Sequence, residues 1–258
     1  MYLAVVIPMF NEEAGARRCL ERVLSVVGTL PTTVTVVAVD DGSSDSTLRV
    51  LRVALAEGLQ FELVSCATNR GYGSALRQGT VRAAALGADW VLFMDSDLTN
   101  PPEQIADFVA AVGPDVDFVK ACRYCHGGGT GDVPLKRVAF SRCGNIAARA
   151  LTGIPHPDLT NGFRAFRTHT YLELPVQERG FAVILEEMFF ARLQGLRVGI
   201  VPSSLTNRAH DLRPTSFHYT AAQLWSYLRW PLRTAVARPR LFFARFVASH
   251  ITPPSIRS

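Results

Sequence analysis

Short apolar runs alternate with segments of helical periodicity through the first half of the chain. This feature constrains the fold most, because apolar runs without polar alternation suit parallel strands buried on both faces. The strand-like runs are residues 3–7, 33–39, 61–65, 90–94 and 117–121, and helical patterns cover 13–27, 44–56 and 74–86 and begin again at the prolines 101–102. The alternation predicts an α/β fold with a mostly parallel central sheet and helices on both faces.

A polar motif follows each of the five predicted strands. These motifs contain Asn11 and Glu12, Asp40 and Asp41, Asn69 to Gly71, Asp95 and Asp97, and Arg123. Ligands of parallel sheets bind outside the carboxyl ends of the strands. These five sets should therefore meet in one crevice, which we take as the candidate active site.

Asp95 and Asp97 lie two residues apart at the end of a buried strand. Carboxylates in this arrangement suit a hard divalent cation, Mg²⁺ or Mn²⁺, which also takes oxygen ligands from substrate phosphates. Alternatively, one of the two caps the helix that begins near Pro101. The acidic residues expected at the same sheet edge, Glu12 and Asp41, favour the metal site.

Other nucleotide-binding patterns are absent from the sequence. The glycines at 71 and 73 lack the third glycine of a dinucleotide fingerprint and follow the third strand rather than the first. No phosphate-binding loop ending in Gly-Lys-Ser/Thr and no Gly-x-Ser-x-Gly nucleophile elbow occurs. These absences argue against a dehydrogenase, a phosphate-loop kinase and a serine hydrolase.

The second half predicts a glycine-rich loop at 127–132, helices at 135–150 and 181–193, a polar turn at 158–164 and a strand at 197–201. From Arg208 onward the chain has eight Arg and one acid, whereas the preceding residues have 19 basic and 21 acidic groups. Residues 219–236, interrupted by Pro231, and 241–251 mix Arg with aromatic residues, as interfacial helices do. We expect this basic amphipathic tail to contact a membrane surface, with docking on the protein's own core or on a second copy as alternatives.

No signal peptide and no apolar run long enough to span a bilayer is found, so we expect a cytoplasmic protein, peripheral on the membrane face. Five Cys in such a chain suggest reduced thiols. Residues 122–126, CRYCH, also match a haem-attachment pattern and could supply zinc ligands, but no second Cys or His pair stands at a typical spacing.

Four motifs in order resemble family 2 glycosyltransferases with the GT-A fold: IPMFNEE at 7–13, VDDGSSD at 39–45, NRGYG at 69–73 and FMDSDL at 93–98. DLTNGFR at 158–164, with the helix of Glu186 and with Arg208, narrows the resemblance to dolichyl- or polyprenyl-phosphate mannosyltransferases. The resemblance covers about residues 3–217. It implies a catalytic domain at 1–217 and a basic helical segment at 218–258.

The resemblance also implies roles for individual residues. The nucleotide-sugar pocket would comprise Pro8, Phe10, Glu12, Val39, Asp40, Asp41, Asn69, Gly71 and Asp95. The metal would be held by Asp95 and Asp97, with Thr99 where relatives offer a third ligand. Donor and acceptor phosphates would meet Arg123 and Arg208, with Arg142 as a further candidate, and Asp158, Thr160 and Arg164 would shape the acceptor and sugar site.

Residues 209–217 depart from the resembled family, because they form a longer stretch without its glycine and lysine. Arg213 is the candidate to replace the missing positive charge. This departure bears on the acceptor more than on the donor.

The resemblance predicts a metal-dependent inverting transferase that moves mannose from GDP-mannose to a polyprenyl phosphate. A phosphate acceptor with a second pKa near ~6 needs no strong base at neutral pH. A hydroxyl acceptor would need one, and Asp158 or Glu186 would then serve. The alternatives are another donor such as UDP-glucose, a soluble acceptor, or a non-catalytic nucleotide-sugar-binding protein. A nucleic-acid binder would leave the acidic crevice unexplained, and the sequence favours no oligomeric state.

Overall fold

The computed structural model describes residues 1–131, 133, 135–206 and 221–237. Within them lies a seven-stranded sheet in the order β3-β2-β1-β4-β6-β5-β7. The strands are β1 (Tyr2–Met9), β2 (Thr33–Asp40), β3 (Glu62–Ser65), β4 (Trp90–Phe93), β5 (Phe118–Cys122), β6 (Arg164–Arg167) and β7 (Val198–Pro202). β6 is antiparallel to β4 and β5, and the other paired strands are parallel.

Eight helices accompany these strands in the described part of the chain. They are α1 (Ala16–Val27), α2 (Thr47–Ala56), α3 (Tyr72–Ala85), α4 (Ile105–Ala111), α5 (Leu135–Thr152), α6 (Thr168–Glu173), α7 (Val183–Leu193) and α8 (Ala221–Ala237), with a 3-10 turn at Pro102–Gln104. The parallel connections therefore run through helices, as parallel strands require.

Two hydrophobic cores cover the two faces of the sheet. Successive residues of β1 point to opposite faces, so Val5 and Ile7 join the core with α1, α2 and α4. Ala4 and Val6 join the core with α3, α6 and α7, to which Trp230 of α8 also belongs. α8 packs against α5 and α7.

The predicted α/β fold is confirmed, and the first five strands agree with the predicted runs to within one or two residues. β6 and α6 were not predicted, since the polar turn at 158–164 leads directly into a short strand with Arg164 and Arg167 at its ends. The tail helix runs as α8 through Pro231, and residues 241–251 lie outside the described residues. No described helix is long and apolar enough to cross a membrane, and all five cysteines are free thiols.

Candidate active site

The carboxyl ends of β1, β2, β4 and β5 lie at the same edge of the sheet. The sequence-predicted polar residues follow these ends. Burial raises the pKa of the Cys19 thiol in α1, and the negative charges of Asp97, Glu12 and Asp95 raise it further. Three of the predicted carboxylates therefore lie within electrostatic range of a single buried atom.

Asn11 and Glu12, directly after β1, are held by the loop after β2. Asn11 has a left-handed backbone with φ 54°, and its side-chain oxygen accepts a hydrogen bond from the Ser44 N–H at 2.8 Å. The Glu12 N–H donates to the Thr47 hydroxyl at 2.7 Å, and Glu12 is buried. The two loops thus form one unit that fixes where Glu12 stands.

Asp41 joins the loop after β2 to the loop after β3. Its carboxylate accepts the N–H groups of Arg70 at 3.0 Å and Gly71 at 2.7 Å. Burial raises the pKa of Asp41, although both N–H donors oppose the rise. Gly71 has φ 93°, and a Cβ there would lie 2.4 Å from the Arg179 carbonyl oxygen, so only glycine suits this turn.

The remaining residues predicted for the nucleotide-sugar pocket lie on the same loops and strand ends. Asp40 and Val39 are buried at the end of β2, and the Asn69 side chain accepts the Gly71 N–H at 2.8 Å. Pro8 and Phe10 are half-buried at the end of β1. The structure places the residues predicted for the nucleotide-sugar pocket at one edge of the sheet. That these residues contact a nucleotide stays a prediction.

Asp95 and Asp97, after β4, each have one carboxylate oxygen held by a hydroxyl. Tyr72 Oη donates to Asp95 Oδ1 at 3.0 Å, and Thr99 Oγ1 donates to Asp97 Oδ1 at 2.8 Å. The Thr99 N–H also donates to Asp97 Oδ1, at 3.1 Å. Thr99, predicted as a possible third metal ligand, thus orients Asp97 in this structure. Desolvation raises the pKa of Tyr72, which keeps its proton available for Asp95.

The two carboxylates fit a divalent cation such as Mg²⁺ or Mn²⁺, because both are hard oxygen ligands on one turn. Gly162 supports this fit: a Cβ there would come within 3.1 Å of Asp95 Oδ2, so the glycine leaves that oxygen uncrowded. Among the residues described, no three acidic, His or Cys side chains form a cluster that could hold a metal alone. Further ligands would come from a substrate phosphate.

Arg123, after β5, is fixed by a buried carboxylate. Its Nε and Nη2 donate to Asp158 at 2.6 and 2.8 Å, and Nη2 also donates to Thr160 Oγ1 at 3.0 Å. Burial alone would raise the pKa of Asp158, but the hydrogen bonds and charge of Arg123 outweigh burial and lower it. Asp158 is therefore a poor base, and its clearest role is to hold the guanidinium.

Arg164 and Glu186, predicted for the acceptor site and as a base, are each held by partners within the protein. Arg164 is buried and forms a two-point ion pair with Glu187, the residue after the predicted base. Glu186 accepts backbone N–H groups of Gln177 and Glu178 at 2.7–3.0 Å. Burial raises the pKa of Glu186 to about 7. Glu186 thus fastens the loop before α7.

Of the other predicted phosphate contacts, Arg142 lies on α5 with its guanidinium 5.9 Å from the centre of the Tyr124 ring. The Tyr124 hydroxyl is hydrogen-bonded to Ser141 at 2.8 Å. Arg208 and Arg213 lie outside the described residues.

Four residues that hold side chains or loops at this edge of the sheet were not predicted from the sequence: Tyr72, Asn145, Glu187 and Lys120. Asn145, on α5, donates to Thr160 and accepts the Leu159 N–H at 2.7 Å. Lys120 is wholly buried, and its amine donates to the Asn161 carbonyl oxygen. A lysine inside an apolar strand was the one available signal, since such a charge needs a partner.

Several known proteins are similar to this chain in sequence or in fold. The family model of Glycosyl transferase family 2 matches residues 4–173. A polyprenol monophosphomannose synthase of Mycolicibacterium smegmatis is 26% identical over 240 residues, which are 92% of this chain and 89% of that protein. An undecaprenyl-phosphate 4-deoxy-4-formamido-L-arabinose transferase of Aeromonas hydrophila is 35% identical over 76% of this chain, which spans 59% of that longer protein.

Solved structures of similar fold include the glucosyl-3-phosphoglycerate synthase of Mycobacterium tuberculosis in complex with Mn²⁺, UDP and glucosyl-3-phosphoglycerate. It matches with a TM-score of 0.62 and 22% identity, over 92% of this chain and 79% of that one. The same enzyme in complex with Mg²⁺ and UDP matches with a TM-score of 0.61. At this identity the likeness shows a shared fold.

Proposed function

The chain belongs to glycosyl transferase family 2, and we propose that it transfers a hexose from a nucleotide-sugar donor to a polyprenyl phosphate. It is a glycosyltransferase with the GT-A fold. One observation carries the proposal: two hydroxyl-oriented carboxylates, Asp95 and Asp97, share a sheet edge with Glu12, Asp41 and the fixed guanidinium of Arg123.

Asp95 and Asp97 hold the diphosphate end of the donor in this proposal, through Mg²⁺ or Mn²⁺. When bound, the cation neutralises the charge that builds on the leaving nucleoside diphosphate. The loops of Glu12 and Asp41 bind the nucleoside, with Pro8, Phe10 and Val39 as its apolar contacts. Fixed groups of this kind stabilise developing charge without reorganising during the reaction.

Arg123 is the candidate contact for the acceptor phosphate. Asp158 and Thr160 take the hydrogens of its Nε and Nη2 and fix its orientation, so in this proposal the charged Nη1 group donates to the phosphate. Of the two carboxylates expected to act as a base, Asp158 has a pKa lowered by Arg123, whereas Glu186 has a pKa raised to about 7 and would be the base for a hydroxyl acceptor. A phosphomonoester with a second pKa near ~6 is already nucleophilic and needs neither carboxylate as a base. Attack from the opposite face inverts the anomeric centre.

The two curated relatives support this acceptor, since one is named for polyprenol monophosphomannose and the other for undecaprenyl phosphate, and the sugars in their names differ. We retain mannose from GDP-mannose as the expected donor, because the relative named for phosphomannose matches over nearly its whole length. UDP-glucose is the alternative donor, and a soluble acceptor is the alternative to the lipid.

α8 supports peripheral contact with the membrane that holds such an acceptor. Trp225, Leu228, Leu232 and Val236 recur at helical spacing and are 40–83% exposed. Arg233 is exposed beside them, and the helix has no acidic residue. We therefore propose residues 218–258 as the segment that lies on the cytoplasmic membrane face and 1–217 as the catalytic domain.

The test is an incubation of the full chain with labelled GDP-mannose, UDP-glucose and other nucleotide sugars, each with undecaprenyl phosphate in detergent and Mn²⁺ or Mg²⁺. Organic-extractable label that is lost on chelation supports the proposal and identifies the donor. If donor cleavage instead requires a soluble phosphorylated or hydroxyl compound, the acceptor is that soluble compound and not a polyprenyl phosphate. No cleavage of any donor with any acceptor would refute the proposed activity.

A further inference from the structure

We propose that Tyr72 is a positioning residue for Asp95, whose carboxylate its hydroxyl orients toward the metal and diphosphate of the donor. The inference rests on the proposed role of Asp95 and goes beyond it, because Tyr72 acts only through that carboxylate. The contact joins Tyr72 Oη to Asp95 Oδ1 at 3.0 Å across 23 residues of sequence.

The backbone on both sides of Tyr72 is fixed. Gly71 donates its N–H to Asp41 at 2.7 Å, and the Gly73 N–H donates to the Arg179 carbonyl oxygen at 2.8 Å. The Tyr72 ring packs against Phe181 with centroids 4.8 Å apart. The hydroxyl is therefore delivered to Asp95 by a rigid support at the start of α3.

A buried ion pair stands behind this support. Arg164 and Glu187 are each about 1% exposed, and the charge of Arg164 lies close to the Tyr72 hydroxyl. Arg164 also donates to the Gly162 carbonyl oxygen at 2.5 Å. A Cβ on Gly162 would approach both Asp95 Oδ2, at 3.1 Å, and the Tyr72 hydroxyl, at 3.4 Å. One arginine thus supports the groups that face both carboxylate oxygens of Asp95.

The physical role of the hydroxyl is to fix the plane of the carboxylate. Asp95 lies on a loop, and rotation about its last side-chain bond would turn its oxygens away from a bound cation. A neutral donor on Oδ1 restricts that rotation and leaves the negative charge in place. Outer partners of metal ligands typically affect metal affinity 10- to 100-fold.

The experiment uses the full chain and Tyr72→Phe, which removes the hydroxyl and keeps the ring. Tyr171→Phe is the matched control, because its hydroxyl lies near the same Arg164 and Glu187 charges and no contact joins it to Asp95 among the hydrogen bonds described. Mn²⁺ affinity in the presence of nucleoside diphosphate is measured by electron paramagnetic resonance. Thermal unfolding is followed in parallel.

Tyr72→Phe should weaken Mn²⁺ binding about 10-fold or more, whereas Tyr171→Phe should stay within about twofold of wild type. The activity of Tyr72→Phe should recover at high Mn²⁺, so the loss falls on the apparent KM for metal rather than on kcat. Gly162→Ala, which crowds Oδ2 instead, should weaken Mn²⁺ binding independently.

Wild-type affinity in Tyr72→Phe would overturn the inference, as would equal losses in both tyrosine variants, since the effect would then belong to the buried cluster. A wild-type chain that binds nucleoside diphosphate but no Mn²⁺ would refute the proposed metal role itself. If wild type and Tyr72→Phe bind Mn²⁺ equally well, only the role of Tyr72 fails and the proposed metal role of Asp95 stands.

Discussion

Replacing Glu187 with glutamine should destabilise the protein more than almost any other single charge change. Arg164 is buried, and its Nε and Nη2 both donate to the Glu187 carboxylate. Gln offers one neutral oxygen in place of two charged ones and turns an amide group toward the second donor. The guanidinium would then be buried without a counter-charge.

The expected cost is about 3–5 kcal/mol, the usual penalty for removing one partner of a buried ion pair. At about 2–4 °C per kcal/mol for a chain of this size, the melting temperature should fall by roughly 6–20 °C. Urea unfolding followed by tryptophan fluorescence measures the free energy of unfolding. The slope with urea should stay unchanged if only stability is altered.

Glu21→Gln is the control, because Glu21 pairs with Arg17 four residues away and both side chains are 43–50% exposed. Its cost should be under about 1 kcal/mol. A loss of stability in Glu187→Gln no larger than that in Glu21→Gln would contradict the assignment of Glu187 as the counter-charge of Arg164. That outcome would mean that another group neutralises Arg164 or that water solvates it.

Three further predictions follow from single contacts. Burial lowers the pKa of Lys120 to about 7 from its ordinary 10.5, so the native state holds fewer protons than the unfolded chain between these values. Wild-type stability relative to Lys120→Met should therefore rise from pH 7 to pH 10 in urea titrations, and a flat difference would contradict the shift. Gly73→Ala places a Cβ 2.1 Å from a backbone carbonyl oxygen and should cost about 1–3 kcal/mol, whereas Gly144→Ala on α5 meets no atom within 4 Å and should stabilise by about 0.5–1 kcal/mol in the same assay. Arg123→Lys loses the two-point contact with Asp158 and should lower the transfer rate about 10-fold or more, and a rate within twofold of wild type would contradict the assigned contact.

The first half of the fold was predictable because each apolar run is long enough to be a buried strand and each is followed by a turn-forming polar cluster. The positions of Asp41, Asp95 and Asp97 at one edge of the sheet were predictable for the same reason, since the carboxyl ends of parallel strands meet there whatever the details of packing.

β6 was not predictable from pattern, because it has only four residues and two of them are Arg. Each Arg pairs with an acid from another part of the chain, Arg164 with Glu187 and Arg167 with Asp117. The roles of Glu186 and Glu187 could not be separated either. Adjacent residues of a helix point about 100° apart, and only the packing of α7 decides which one meets Arg164. Tyr72 was not predicted as a site residue, because the motif at 69–73 was interpreted through its two glycines.

The proposed metal role of Asp97 is tested by sugar transfer as a function of Mn²⁺ concentration, for wild type, Asp97→Asn and Asp115→Asn. Asp115 is an exposed residue, so its variant controls for loss of one negative charge. We expect Mn²⁺-dependent transfer by wild type and Asp115→Asn and a loss of about 100-fold or more in the transfer rate of Asp97→Asn. Transfer by Asp97→Asn within twofold of wild type, with the same dependence on Mn²⁺, would contradict this role.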